Sequence, residues 1–375
     1  MIRSLSPLLA AFFLPGAASA QDDPLRFGAA DGPSLSLQPF VQVDARLADR
    51  APDGLRAEET DLNLARLYAV ASAGDATATL AYEFQDGGRW RYAYLTYAAT
   101  ERLSVVVGQQ DEPFSLADMS GSRAAIFADS AAATALVPGD NIGVRADYDG
   151  GAFTLSGGVF GGDIDTGAGD EGTAYAARAT WNPTGDPQDG APVLHLGLAA
   201  ATRDGADFNA GLATGAGAGL LPRSLLSVGA FDDVDQIDRI NLEVAARTGP
   251  LSFQAEASGA RIDRGGDTRE AQAAYALLSW YVTGESRPYD AGTFGQVTPL
   301  APVPGGGRGA VELALRLDAA DFEADGETIR VTGAVNWHVT RALRVGLNAS
   351  HAEVEDGVLG DGDVSVAFLR LQYAH

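Results

Sequence analysis

Segment after segment of this chain alternates apolar and polar side chains with a period of two, the pattern of β-strands that keep one greasy face and one wet face. Leu35, Leu37, Val41, Val43, Ala45 and Leu47 share one parity, and Gln38, Gln42, Asp44 and Arg46 hold the other. Ile240, Leu242, Val244 and Ala246 alternate with Arg239, Asn241, Glu243 and Arg247. Val311, Leu313, Leu315 and Leu317 do so with Glu312, Arg316 and Asp318. In a soluble sandwich the apolar faces meet each other. In a transmembrane barrel they meet lipid, and the polar faces line a wet lumen.

Three features favour the barrel. The alternating segments are close to the roughly 9–11 residues that a tilted strand needs to cross a bilayer. Aromatics such as Tyr148, Trp181, Trp280, Trp337 and Tyr373 fall near their ends, as interfacial girdles do. Many positions of the apolar parity are small, too weak for a dense soluble core but adequate against acyl chains. Strands are expected near 35–47, 61–72, 77–85, 91–98, 103–110, 141–149, 152–160, 173–182, 193–202, 235–247, 250–261, 270–283, 309–319, 328–339, 343–351 and 363–375. These make sixteen, an even count, as a closed all-β transmembrane antiparallel barrel requires. Connections alternate between tight turns, such as Gly150-Gly151 and Thr248-Gly249, and longer loops. Three are long, at 111–140, 203–234 and 284–308, and long connections in a compact fold are usually functional.

Ahead of the barrel, Arg3, the apolar run Leu8–Leu14, the break at Pro15-Gly16 and the small residues Ala18 and Ala20 form an export signal. Residues 1–20 are expected to be cleaved, residues 21–34 to form a short periplasmic segment, and residues 35–375 to form the barrel.

Composition removes several function classes. The 50 acidic residues outnumber the 26 basic ones, every basic residue is Arg, and the net charge is -24. No nucleic-acid partner suits that balance. With no Cys there is no thiolate metal site and no Cys nucleophile. The four His (195, 338, 351, 375) form no paired spacing, and no G-x-S-x-G elbow occurs, so no enzyme and no cofactor are expected. Acid-rich loops around Asp163, Asp165, Asp170 and Glu171, around Asp232, Asp233 and Asp235, and from Glu353 to Asp363 offer ligands to Ca²⁺ or Mg²⁺. Such ions would bridge lipopolysaccharide phosphates, but solvated loop charge is the simpler reading.

Three motifs carry a resemblance. Val107-Gly108-Gln109-Gln110-Asp111-Glu112-Pro113-Phe114-Ser115-Leu116 runs on to Ser120-Gly121-Ser122-Arg123. Trp280-Tyr281-Val282-Thr283-Gly284-Glu285-Ser286-Arg287-Pro288-Tyr289 is the second, and Gly309 to Arg316 with Gly333 to Trp337 and Arg344 to Asn348 the third. In order and spacing they resemble the phosphate-selective porin O and P family of Gram-negative outer membranes. The resemblance implies a sixteen-stranded barrel, usually a homotrimer embedded among outer-membrane lipid and lipopolysaccharide. It passes small hydrophilic solutes or ions, and two long outer loops and one periplasmic link fold inward to narrow its lumen. It also places Asp111 and Glu112 at the entry of the constricting loop, with Asp111 where anion-selective members carry Lys. The last residue, His375, stands where the family ends in an aromatic.

The candidate pore-lining residues are therefore Arg123 in the constricting loop, Arg145, Arg178, Arg239 and Arg316 on the inward parity, and Asp111 and Glu112. An arginine ladder suits oxyanions such as phosphate, because the planar fork donates two hydrogen bonds at once. The competing reading is that these arginines satisfy inward carboxylates such as Glu83, Asp147, Glu243, Glu256, Glu312 and Asp318. A structural or binding barrel with little conductance is the alternative to a diffusion pore.

Overall fold

The computed structural model describes residues 25–28, 32–165, 172–184, 191–214, 218–221 and 224–375. The expected signal at 1–20, half of the segment 21–34, and Asp170 and Glu171 lie outside them.

Sixteen strands form the wall: β1 (Ser34–Arg50), β2 (Thr60–Ala73), β3 (Ala76–Glu83), β4 (Arg89–Ala98), β5 (Leu103–Asp111), β6 (Asp140–Asp149), β7 (Phe153–Phe160) and β8 (Thr173–Trp181) make the first half. The second half is β9 (Val193–Thr214), β10 (Leu226–Thr248), β11 (Leu251–Arg264), β12 (Asp267–Tyr281), β13 (Ala310–Asp321), β14 (Glu327–His338), β15 (Leu343–Glu355) and β16 (Gly362–Ala374). Each pairs antiparallel with its neighbours, and β16 returns to β1 with Arg370 opposite Asp44 and Gln372 opposite Gln42. Closure leaves no free edge, so wall amides pair along the ladders without water, as the hydrocarbon layer demands. A three-residue strand, Arg26–Gly28, lies against the start of β1 at Ser34–Ser36.

The faces segregate as the alternation requires. On β10 Leu242 is 55% exposed while Asn241 beside it is 0% exposed, and on β13 Leu315 is 55% exposed against 3% for Arg316. The exposed side chains are the apolar ones, an inversion of a soluble protein that fits a lipid solvent. Tyr175, Trp181, Trp280, Trp337 and Tyr373 are on this outer surface as well.

Two findings depart from the sequence expectation. The stretch 203–234 is not a loop. β9 and β10 keep pairing out to Thr214 opposite Leu226, with register shifts between Asp204 and Leu212. Those bulges break strict alternation, which hid the strands. The hairpin tip bends across the rim, where the Glu58 amide donates to the Leu220 carbonyl at 2.8 Å and the Val358 amide to the Leu225 carbonyl at 3.0 Å. The inner face is also not polar throughout. Leu225 and Leu226 of the hairpin join Phe127 and Leu136 in one buried apolar cluster with the inward Ile262, Val364 and Phe368. These wall residues keep the inward parity but meet protein instead of water, so they are apolar.

Candidate pore constriction

The segment between β5 and β6 folds into the lumen and crosses it. Pro113 disfavours a helical Glu112, and Ser115 then caps helix α1 (Leu116–Ala124), its Oγ accepting from the Asp118 amide at 3.3 Å. The helix start is held by the wall. Glu256 of β11 accepts from the Leu116 amide at 3.0 Å and the Ala117 amide at 2.9 Å, placing a carboxylate on the positive end of the helix. Phe114 packs against Phe160, Ala174, Ala176, Ala199 and Ala201 of β7, β8 and β9. Gly121 kinks the helix at φ 73°.

Beyond the kink the loop meets the opposite wall. Arg123 donates to Gln38 Oε1 of β1 at 2.9 Å and stacks over Tyr68 of β2 at 4.7 Å. Asn336 of β14 donates to the Ile126 carbonyl at 2.8 Å, and Asn348 of β15 accepts from the Ala128 amide at 3.2 Å. Asp129 Oδ2 lies 3.1 Å from both Arg316 and Arg330, and Asp318 takes the Ala132 amide at 3.1 Å. The loop thus spans the barrel from β11 to β1 and returns along β15, β14 and β13.

The link 284–308 enters from the turn end and braces it. The short strands Tyr289–Asp290 and Thr293–Phe294 form a hairpin. The Phe294 amide donates to Ser120 Oγ of α1 at 3.0 Å. Tyr289 Oη meets His195 Nδ1 at 2.7 Å, and the Gly292 carbonyl takes Arg178 at 2.8 Å. Gly292 has φ +78°, and a Cβ there would lie 2.7 Å from Thr180 Oγ1, so close approach to the wall requires Gly.

Beside the loop lies a cavity of about 250 Å³. Arg66 and Arg91 approach it from β2 and β4, Arg370 from β16, Arg316 from β13 and Arg287 from the link, while the loop contributes Asp118 and Asp129. Most of these charges are paired. Arg66 Nε donates to Glu83 at 2.9 Å, Arg91 bridges Asp111 at 2.6 Å and Asp140, and Arg370 grips Asp44 at 2.6 Å. Asp118 is different: burial, then the nearby Asp111, push its carboxyl up to about 7, against the pull of Arg91. Burial lowers the Arg123 and Arg287 guanidiniums from their ordinary values.

The sequence candidates are placed as follows. Arg316 lines the cavity, joined to Asp129 and to Asp318 at 3.0 Å. Arg123 lies against Gln38, Phe40 and Tyr68. Arg145 donates to Asp147 at 2.9 Å and to the Asp111 carbonyl at 2.9 Å. Arg178 makes two 2.8 Å bonds to Glu243. Arg239 is on β10, and its Nε has no hydrogen-bond partner. Asp111 takes Arg91 and the Tyr92 hydroxyl at 2.6 Å each, and Glu112 takes Arg203 and Asn141 at 2.7 Å each. Sequence reasoning did not single out Arg66, Arg91, Arg287 or Arg370. The available signal was cross-strand register, which sets Arg66 opposite Glu83 and Arg370 opposite Asp44. Among the described residues no group of three or more His, Asp or Glu is arranged to hold a metal ion.

Comparison with known proteins agrees with this architecture. An uncharacterized protein of Caulobacter vibrioides is 28% identical, over 90% of this chain and 73% of the relative. Among solved structures, the anion-selective porin from Comamonas acidovorans has a TM-score of 0.58 at 13% identity, covering 92% of this chain and all of that one. OmpT, an outer membrane protein of Vibrio cholerae, has a TM-score of 0.57 at 11% identity, covering 92% and 99%. Pseudomonas putida OprB at high pH has 0.57 at 13%, covering 92% and 94%. The fold is that of an outer-membrane porin of a Gram-negative bacterium. The profile of the phosphate-selective porin O and P family matches residues 59–375, and the chain belongs to that family.

Proposed function

We propose that the protein passes small hydrophilic solutes or ions by passive diffusion, anions such as phosphate among them, through the loop-narrowed lumen. The observation that carries this reading is the course of the loop 111–140, which crosses the lumen and leaves a cavity of about 250 Å³ bordered by five arginines. Fixed charge in so narrow a passage acts below the roughly 8 Å screening length of physiological salt, so the guanidiniums and carboxylates that line it, most of them paired with one another or with the wall, set selectivity ahead of the net charge of -24 carried largely elsewhere. The anion-selective porin from Comamonas acidovorans shares the fold, which supports an anion preference here. Arg316 faces the solute in this reading. Arg123, Arg145, Arg178, Asp111 and Glu112 hold the loop and the wall that shape the passage.

A trimer embedded in lipid and lipopolysaccharide fits this role, and a trimer form is known for Vibrio cholerae OmpT. Export after removal of residues 1–20 fits it too. The test is current across planar bilayers, with reversal potentials in a salt gradient. Steady conductance with anion preference is the expected result. A second reading, a structural barrel with little conductance, draws on the apolar cluster under the hairpin tip, and a silent bilayer would establish it.

A further inference from the structure

Most ionic groups around the cavity are already satisfied by protein. Arg66 belongs to Glu83, Arg91 to Asp111 and Asp140, Arg370 to Asp44, and Arg316 and Asp129 to each other. A guanidinium locked to a carboxylate presents little net charge to a passing solute, because the pair's field falls off as a dipole. Two lining groups make no salt bridge among the described residues, although Arg91 acts on one and Glu312 on the other. One is Asp118 on α1, whose carboxylate makes no salt bridge. The other is Arg287 on the link. It is 4% exposed, stacks over Phe294 at 4.1 Å and donates only to the neutral Gln254 Oε1 at 3.3 Å. The uncommitted pair is thus one acid and one base, and both are carried by the inserted segments instead of the wall.

We infer that the cavity receives a small zwitterion, a solute bearing one carboxylate and one ammonium, held between Arg287 and Asp118. This rests on the reading of the barrel as a pore and names the solute class that the pore retains best. The fork of Arg287 suits a carboxylate, and an ammonium offers three donors to Asp118. A dianion would gain at Arg287 and lose at Asp118, whereas a zwitterion gains at both. The cavity volume corresponds to about eight waters, room for a compact solute with little bulk beyond its two charges. Burial and the neighbouring Asp111, Asp140 and Glu256 disfavour a bare Asp118 charge, with Arg91 opposing them, so an arriving ammonium relieves an existing penalty.

The test compares glycine with its uncharged isomer glycolamide in swelling of liposomes carrying the full barrel at pH 8, after subtraction of empty liposomes. Both solutes are electroneutral and of one size, so only charge separation differs. Glycine should enter faster, and Asp118→Asn and Arg287→Gln should each lower the glycine-to-glycolamide ratio about two- to five-fold, the worth of one partly solvated ion pair. The unmodified barrel supplies a readout independent of variant folding: its ratio should fall between pH 8 and pH 6. A ratio at or below one in a barrel that conducts KCl overturns the zwitterion inference alone. A barrel that conducts nothing overturns the pore reading and this inference with it.

Discussion

Replacing Glu256 by Gln changes one oxygen to an amide nitrogen and leaves the side-chain shape intact. In the native wall Oε2 accepts from the Leu116 amide at 3.0 Å and from Asn241 Nδ2 at 2.9 Å, while Oε1 accepts from the Ala117 amide at 2.9 Å and the Tyr275 hydroxyl at 2.5 Å. Tyr275 and Asn241 can reorient to accept from the new NH₂. The two helix amides cannot, since an amide N–H only donates. Whichever way the substituted carboxamide turns, one backbone N–H at the start of α1 faces a donor. An orphaned buried donor costs about 1–3 kcal/mol, and removing the carboxylate from the helix N-terminus costs about 0.3–1 kcal/mol more. Together they weaken the loop's hold on β11 by about 1.3–4 kcal/mol, and even the lower figure multiplies the detached population about ninefold. Single-channel recording should show larger and noisier openings. The folded barrel should still migrate faster on unheated gels, because the wall ladder is untouched. Conductance and open-channel noise indistinguishable from the unmodified protein would refute the claim that Glu256 fixes the loop.

Asp118 holds its proton below about pH 7 and loses it above, so raising pH from 6 to 8 adds one negative charge to the cavity. Reversal potentials should shift toward cations across that interval, and Asp118→Asn should flatten the shift. Leu242→Arg puts a cation on the lipid face at a position now 55% exposed, at a cost of about 2–4 kcal/mol near the bilayer midplane. Heat-modifiable barrel should drop sharply in outer-membrane fractions, whereas Ser258→Asn on the inner face should leave it unchanged. Leu225→Asp buries a charge in the apolar cluster under the hairpin tip, where Leu225 is 1% exposed. The tip should lift, read as faster protease cleavage around Gly219–Leu221.

The wall was legible because lipid enforces one rule on every strand. A residue of the wrong polarity on the outer face has no way to hide, so Leu313, Leu315 and Leu317 announce both strand and face. Where that rule lapses, so did the reading. Past Asp204 the register of the β9–β10 hairpin shifts and its alternation fades. The constriction was legible only as a motif, Asp111 to Arg123. Which arginines border the passage depends on where the inserted loop leaves room. Arg66, Arg145, Arg316 and Arg370 all hold the inward parity, yet Arg145 turns to Asp147 and the Asp111 carbonyl. Arg287 stood in a recognised motif, but nothing local to it reveals that the link turns inward to meet α1.

The crossing loop also constrains the order of assembly. Its anchors are far away in the chain: Asn336 and Asn348 hold Ile126 and Ala128 across separations of 210 and 220 residues, and Arg123 reaches back 85 residues to Gln38. The contacts to Asn336 and Asn348 need β14 and β15 in the wall, and such remote pairings are slow to nucleate. The loop therefore gains its last anchors only once β14 and β15, near the end of the chain, stand in the wall. Maturation of this protein amounts to narrowing from within.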